Sequence, residues 1–180
     1  MAFWGIAAPF AYGQEAASSQ AVAVIDLDRI LEQSKAGQSI EQQLQAQRGL
    51  IQKEFAEKEN TLNDTERRLI DLQKSGQTDT LKSQRLAFEK ELTETRRLFQ
   101  TRRRALDNSV NQALDQLRDA VVREASAIAD EGRYQAVLKK SSVVVVDARH
   151  DITGRVLERL NTRTPDIRLQ INVPSPGRSQ

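Results

Sequence analysis

The stretch TDTLKSQRLAFEKELTETRRLFQTRRRALDNSVNQALDQLRDAVVREASAIADE, residues 78–131, contains no glycine or proline and carries its apolar side chains on an eleven-residue repeat. Phe88, Phe99, Val110 and Val121 form one series. Leu81, Leu92, Leu114 and Ala125 form a second, and Leu106, Leu117 and Ile128 a third. Such a repeat has about 3.67 residues per turn, close to the relaxed helix, so the apolar line stays on one side of a nearly straight rod. Upstream the same spacing runs through Ile40, Ile51 and Leu62 and through Leu44 and Phe55. Lys74-Ser75-Gly76-Gln77-Thr78 separates the two arms. The pattern predicts a long antiparallel helical hairpin over residues 39–131, with its tip near 75–79. At about 1.5 Å per residue the arms reach roughly 55 to 80 Å, which places function on projecting arms rather than in a pocket. Folding about Gly76-Gln77 sets Phe55 opposite Phe99 and Leu62 opposite Leu92 as the arm seam, with polar breaks at Gln47, Lys58, Glu66, Thr95 and Arg103. Breaks of this kind lower stability and hold register. Because the seam is used in pairing the helices, the surface offered to a partner is expected to be polar and basic.

With 29% charged and 38% hydrophobic residues, a chain of 180 residues lacks the apolar content of an ordinary compact core. An elongated or oligomeric fold follows. The net charge of +2 conceals a polarity: residues 82–105 hold eight basic and three acidic side chains, whereas residues 106–132 hold two basic and six acidic ones. Arg96, Arg97, Arg102 and Arg103 are therefore the candidate contacts for an acidic partner. The competing view of the same residues is a solvated helix face laced with internal ion pairs. Arg102, Arg103 and Arg104 point about 100° apart around a helix and do not form a single patch. The chain has no cysteine, which excludes a disulfide framework, a thiolate metal site and a thiol nucleophile.

Short elements flank the arms. Ala21-Val22-Ala23-Val24-Ile25 reads as a buried strand, and Asp26 or Asp28 can cap a short helix through Ile30 and Leu31. Gly37 is placed to end that helix in the left-handed conformation. Ser39, followed three residues later by Gln42, forms a capping box that restarts the chain as the first arm. After Gly132 closes the second arm, residues 134–138 and 142–146 read as two strands joined by Lys139-Lys140-Ser141. The missing Gly or Asn leaves that turn type open. Thr153 then caps a helix whose apolar face is Val156, Leu157 and Leu160, with Ile152 stapled onto Leu157. From Thr162 the chain carries three of its four prolines. Ile167, Leu169, Ile171 and Val173 alternate there, and a flexible tail over 162–180 is expected in preference to an edge strand. A sheet of three short strands with one covering helix leaves an apolar face that self-association in a closed ring would bury. At the other end, residues 1–13 are uncharged and largely apolar, with Ala11-Tyr12-Gly13 where a secretory signal is cut. No Lys or Arg precedes Arg29, so the usual basic start is missing. Residues 14–20 read as a flexible lead-in.

In this order the elements resemble the Skp/OmpH family of periplasmic chaperones for outer-membrane proteins. The resemblance is carried by Val22-Ala23-Val24-Ile25-Asp26, the pause at Ser34-Lys35-Ala36-Gly37, the paired arms, residues 134–138, and Asp151-Ile152-Thr153 with Val156-Leu157 and Leu160-Asn161; it covers residues 21–161. It implies an α+β, mostly α fold: a homotrimer whose helical hairpins hang like tentacles around a cavity. Their common base is a small β body formed by trimerisation from residues 21–38 and 132–161. Val22, Val24, Ile25, Val143, Val145, Ile152, Leu157 and Leu160 are the residues assigned to that body. The implied activity is an ATP-independent holdase for unfolded outer-membrane proteins, exported to the periplasm of a Gram-negative bacterium. Lipopolysaccharide and phospholipid are further anionic partners that basic faces of this kind suit.

Catalysis is not expected. No phosphate-cradling G-x-x-x-x-G-K loop occurs, and His150 beside Asp151 lacks both a nucleophile and a pocket, which makes it a solvent-exposed turn residue. No cofactor or metal is expected. A nucleic-acid module has the basic balance but no stacking aromatics or recognisable motif, so no nucleic-acid partner is expected. A coiled-coil tether or export adaptor is the stronger rival. It needs the arms but not the strands and helix that close the chain.

Overall fold

Ser34, rather than a glycine, divides the first two helices. The computed structural model describes residues 21–172. In it β1 (Val22–Ile25) is followed by α1 (Leu27–Gln33), α2 (Lys35–Lys74), α3 (Thr78–Gly132), β2 (Ala136–Lys139) and α4 (Thr153–Arg163). The expected signal segment 1–13, the lead-in 14–20 and the final residues 173–180 lie outside the described residues.

The Asp26 carboxylate accepts the Arg29 N–H at 3.1 Å and starts α1. Ser34 then takes an extended conformation (φ −69°, ψ 148°), and its hydroxyl accepts the Gly37 N–H at 3.1 Å to start α2. Two expectations are corrected here. Gly37 lies inside the first turn of α2 instead of ending α1, and it is glycine because any Cβ would collide with the Leu31 carbonyl oxygen. Ser39 is no N-cap; its hydroxyl bonds the Asp166 carboxylate and accepts the Gln43 side-chain N–H at 3.0 Å.

The arms are α2, with 40 residues, and α3, with 55, or about 60 and 80 Å of helix. Gly76 turns between them with φ 72°, a conformation that costs a side chain but not glycine. At its far end α3 terminates on Arg133, whose φ of 52° makes it the left-handed cap. Gly132 is kept small by the Tyr134 ring packed where its Cβ would stand.

β1 and β2 pair in parallel, Val22 with Ala136 through Ile25 with Lys139, so the whole hairpin is the crossover that a parallel pair requires. The other edge of β1 is also occupied: the Ile152 N–H donates to the Val24 carbonyl at 3.0 Å. The expected hairpin of two strands after α3 is not formed. Lys140–Ser142 is a 3-10 turn closed by Val143 N–H onto the Lys140 carbonyl, and residues 143–146 are not a strand. Without Gly or Asn the sequence cannot supply the left-handed positions of a tight hairpin turn. The middle of the Val run therefore stays in solvent, with Val144 100% and Val145 86% exposed, while Val143 and Val146 are half-buried.

The core sits at the root of the arms. Ala23 and Ile25 of β1, Ile30 of α1, Ala36 and Ile40 of α2, Ala113, Leu117, Val121, Ala125 and Ile128 of α3, and Val156 and Leu160 of α4 form one cluster with Ile152 and Ile167. Ile167 corrects the expectation of a flexible tail for the described part of 162–180. The amide of Gln43 donates to the Ile167 carbonyl at 2.9 Å and accepts the Leu169 N–H at 3.0 Å. One side chain thus holds an extended segment as a neighbouring strand would. The alternation of Ile167 and Leu169 is used, but against α2 rather than in a sheet.

Candidate functional site

Two regions carry the chemistry of this chain: the middle of the arm and its root. In the arm, Phe55 and Phe99 meet edge to face with ring centroids 5.0 Å apart and an interplanar angle of 83°. This is the register expected from folding about Gly76-Gln77. Leu62 is buried and Leu92 half-buried on the same line. Of the polar breaks, Thr95 is buried in the seam and Gln47 is half-buried, whereas Lys58, Glu66 and Arg103 are exposed.

The seam is not used up by helix pairing, which corrects the expectation of a polar partner-facing surface. Phe55, on the seam, remains 43% exposed, and away from the seam the arms also expose Leu50 (56%) and Leu86 (69%). Two helices touch along one line only, and among the described residues no third element covers that line beyond the root. Where the line loosens, a groove of about 490 Å³ opens between the helices, lined by Arg48, Ile51, Gln52 and Phe55 of α2 and Phe99, Arg103, Leu106 and Asp107 of α3.

The expected client-contact arginines divide on this geometry. Arg96 and Arg97 are exposed. Arg102 reaches across the seam to the Glu54 carboxylate, so part of its charge is committed to holding the arms together. Arg103 stands on the groove rim. It lies seven residues, nearly two turns, from Arg96, so the two share a face with Phe99 between them. Arg48 escaped the sequence reading although its place one turn before Ile51 marks it as a seam neighbour.

At the root, α4 is clamped to α3 by charge. Arg159 forms a bidentate pair with Glu131, 2.7 Å through one of its two bonds, and Arg155 approaches the same carboxylate at 3.6 Å. The Arg159 hydrogen bond holds the Glu131 carboxyl below the usual range. Glu124, 7% exposed, pairs with Arg163 at 3.2 Å. At the head of α4, burial raises the Asp151 carboxyl, but bonds from Thr153 and Lys140 outweigh it and the net value is lowered. Asp151 accepts the Thr153 N–H at 3.0 Å, which makes Asp151 the capping group expected of Thr153. The Thr153 hydroxyl instead accepts the Asp26 N–H at 2.9 Å and ties α4 to the end of β1. His150 is half-buried, its ring edge to face with Tyr134 at 6.3 Å.

The residues assigned to the β body fall into two sets. Val24, Ile25, Ile152 and Leu160 are buried within the single chain, and Val22, Val143 and Leu157 are half-buried. Val145 is in solvent, as are Val144 and Leu138. Among the described residues no helix is long and apolar enough to cross a membrane, and no cluster of His, Cys, Asp and Glu could hold a metal ion.

Comparison with known proteins agrees with this architecture. The family described as outer membrane protein (OmpH-like) matches residues 21–160. The crystal structure of a Caulobacter crescentus protein, proposed to be an outer membrane chaperone (OmpH-like), superposes with a TM-score of 0.80. It is 15% identical, over 97% of this chain and 99% of that one, so the likeness establishes a shared fold. No curated protein matches the sequence.

Proposed function

This chain belongs to the outer membrane protein (OmpH-like) family, and from that premise we propose that it is a periplasmic holdase chaperone. It binds unfolded outer-membrane β-barrel proteins without ATP, in a cavity between the arms of a homotrimer. The observation that supports this reading best is the division of the molecule into a well-packed root and a long hairpin that is basic in its middle and incompletely sealed. A protein that binds only the unfolded state shifts equilibria by mass action. Several arms acting together raise the effective concentration of weak contacts. Arg96, Arg97 and Arg103 supply attraction for an acidic unfolded chain, and exposed Phe55, Leu50 and Leu86 supply apolar contact.

The test is dilution of a urea-denatured outer-membrane β-barrel protein into buffer containing the purified protein and no ATP, followed by light scattering. Suppressed aggregation near one trimer per client is expected. Unsuppressed scattering would remove the chaperone reading and favour a structural tether.

A further inference from the structure

We propose that the mid-arm groove is a seat for one bulky apolar side chain of an unfolded polypeptide that carries a carboxylate next to it in sequence. This assignment rests on the chaperone reading and locates it on particular residues.

The floor is apolar, made by Ile51, Phe55, Phe99 and Leu106, and Phe55 is partly open to solvent there. A volume of about 490 Å³ accommodates a side chain, not a folded element. The rim supplies the second half of the recognition. Arg48 and Arg103 flank the floor from opposite helices, and neither makes an ion pair among the described residues. Glu54, the acidic side chain bridging the arms at this level, is taken by Arg102. Asp107 is the one acid on the rim, leaving it with a net positive charge. An apolar floor between unpaired guanidinium groups is complementary to an aromatic or aliphatic residue beside Asp or Glu. Arginine is also suited to bidentate capture of a carboxylate. A basic neighbour would be repelled, so the groove selects among the segments of an unfolded chain.

The chain contains no cysteine, so Gln52→Cys in the full-length protein, carrying an environment-sensitive dye, reports on this groove alone. Asn60→Cys, further along the arm, serves as control. The probe is a short unstructured peptide with Phe beside Asp, compared with peptides in which Phe is replaced by Ser or Asp by Lys. A saturable emission change is expected at position 52 and not at 60, only with the Phe-Asp peptide. In an Arg48→Gln, Arg103→Gln background affinity should weaken about three- to tenfold, as two solvent-exposed charge contacts imply. These substitutions lie on the rim, so folding of the arm, read by circular dichroism, is retained. Equal responses at both dye positions, no response, indifference to the Asp→Lys change, or unaltered affinity in the double variant would each overturn the assignment. If the protein suppresses client aggregation while the groove dye stays silent, the seat is wrong and the chaperone reading stands. If the groove binds peptide and aggregation is not suppressed, the chaperone reading fails and the seat remains.

Discussion

Ser109 faces the seam with 2% exposure, and its hydroxyl has no hydrogen-bond partner. A buried unmade bond is costly, and Ala is also the better helix former. Ser109→Ala should therefore raise stability by about 1 kcal/mol, measured by urea denaturation; a loss of stability would mean that the hydroxyl is satisfied in solution. Phe55 and Phe99 offer the complementary test of register. Edge-to-face pairs contribute about 0.5–1.5 kcal/mol beyond burial. A double-mutant cycle with Phe55→Leu and Phe99→Leu should return a coupling of that size, and zero coupling would indicate a slipped arm. The pairing itself was readable in the sequence from the eleven-residue spacing and one glycine. The partial exposure of Phe55 was not, because periodicity reports which face a residue occupies and not whether anything covers that face.

At the scale of elements, α4 and the tail segment are attached to the arms by different means, which respond to different perturbations. The Glu131 carboxyl is held below its ordinary value by Arg159. Its contribution is complete above the unfolded glutamate value of about 4.3 and is lost as pH falls through the lower folded value. Thermal melts of the wild type should therefore decline more steeply with acidification below about pH 4.3 than those of Glu131→Gln, which begins less stable. Parallel curves would exclude the linkage. The tail is held by two neutral hydrogen bonds from Gln43, by the Ser39 hydroxyl on the Asp166 carboxylate and by burial of Ile167. Gln43→Ala should free it with a loss of about 1–3 kcal/mol for the two bonds. The loss should appear as faster amide exchange at Leu169 with the arm middle unaffected, and unchanged exchange there would refute the strap. Gln43 gave no warning of this role. Its partners in the tail are more than a hundred residues away in sequence, and a glutamine on a helix surface is ordinary until something lies against it.

For the whole molecule, the question left by a single chain is what covers Leu138, Val144 and Val145. Their exposures of 44%, 100% and 86% leave three large apolar side chains in solvent, one on β2 and two just after the turn that follows it. In the proposed trimer these side chains lie between subunits. Val144→Asp with Val145→Asp should then shift sedimentation from trimer to monomer, leaving helix content unchanged because the root core of each chain is complete without them. A variant that stays trimeric would move the interface elsewhere. The same experiment separates these residues from Ile152 and Leu160, whose burial inside the protomer makes their loss a folding defect and not an assembly defect.

The sequence by itself determined the long-range plan: two helical arms, their register, the tip at Gly76 and the strand on entering and leaving the hairpin. Periodicity, helix-compatible composition and the absence of breakers are local properties that persist whatever the chain packs against. Only the tertiary structure decided that the two strands run parallel, that Val144 and Val145 stay in solvent, that the tail is strapped to α2 and that Asp151 rather than Thr153 caps α4. Each of these depends on partners brought together from distant positions. Backbone groups and side chains choose among such partners by geometry and burial, which no local pattern encodes. The mid-arm groove belongs to both levels: its apolar residues follow from the repeat, and its openness follows from an arm in which, among the described residues, only two helices meet.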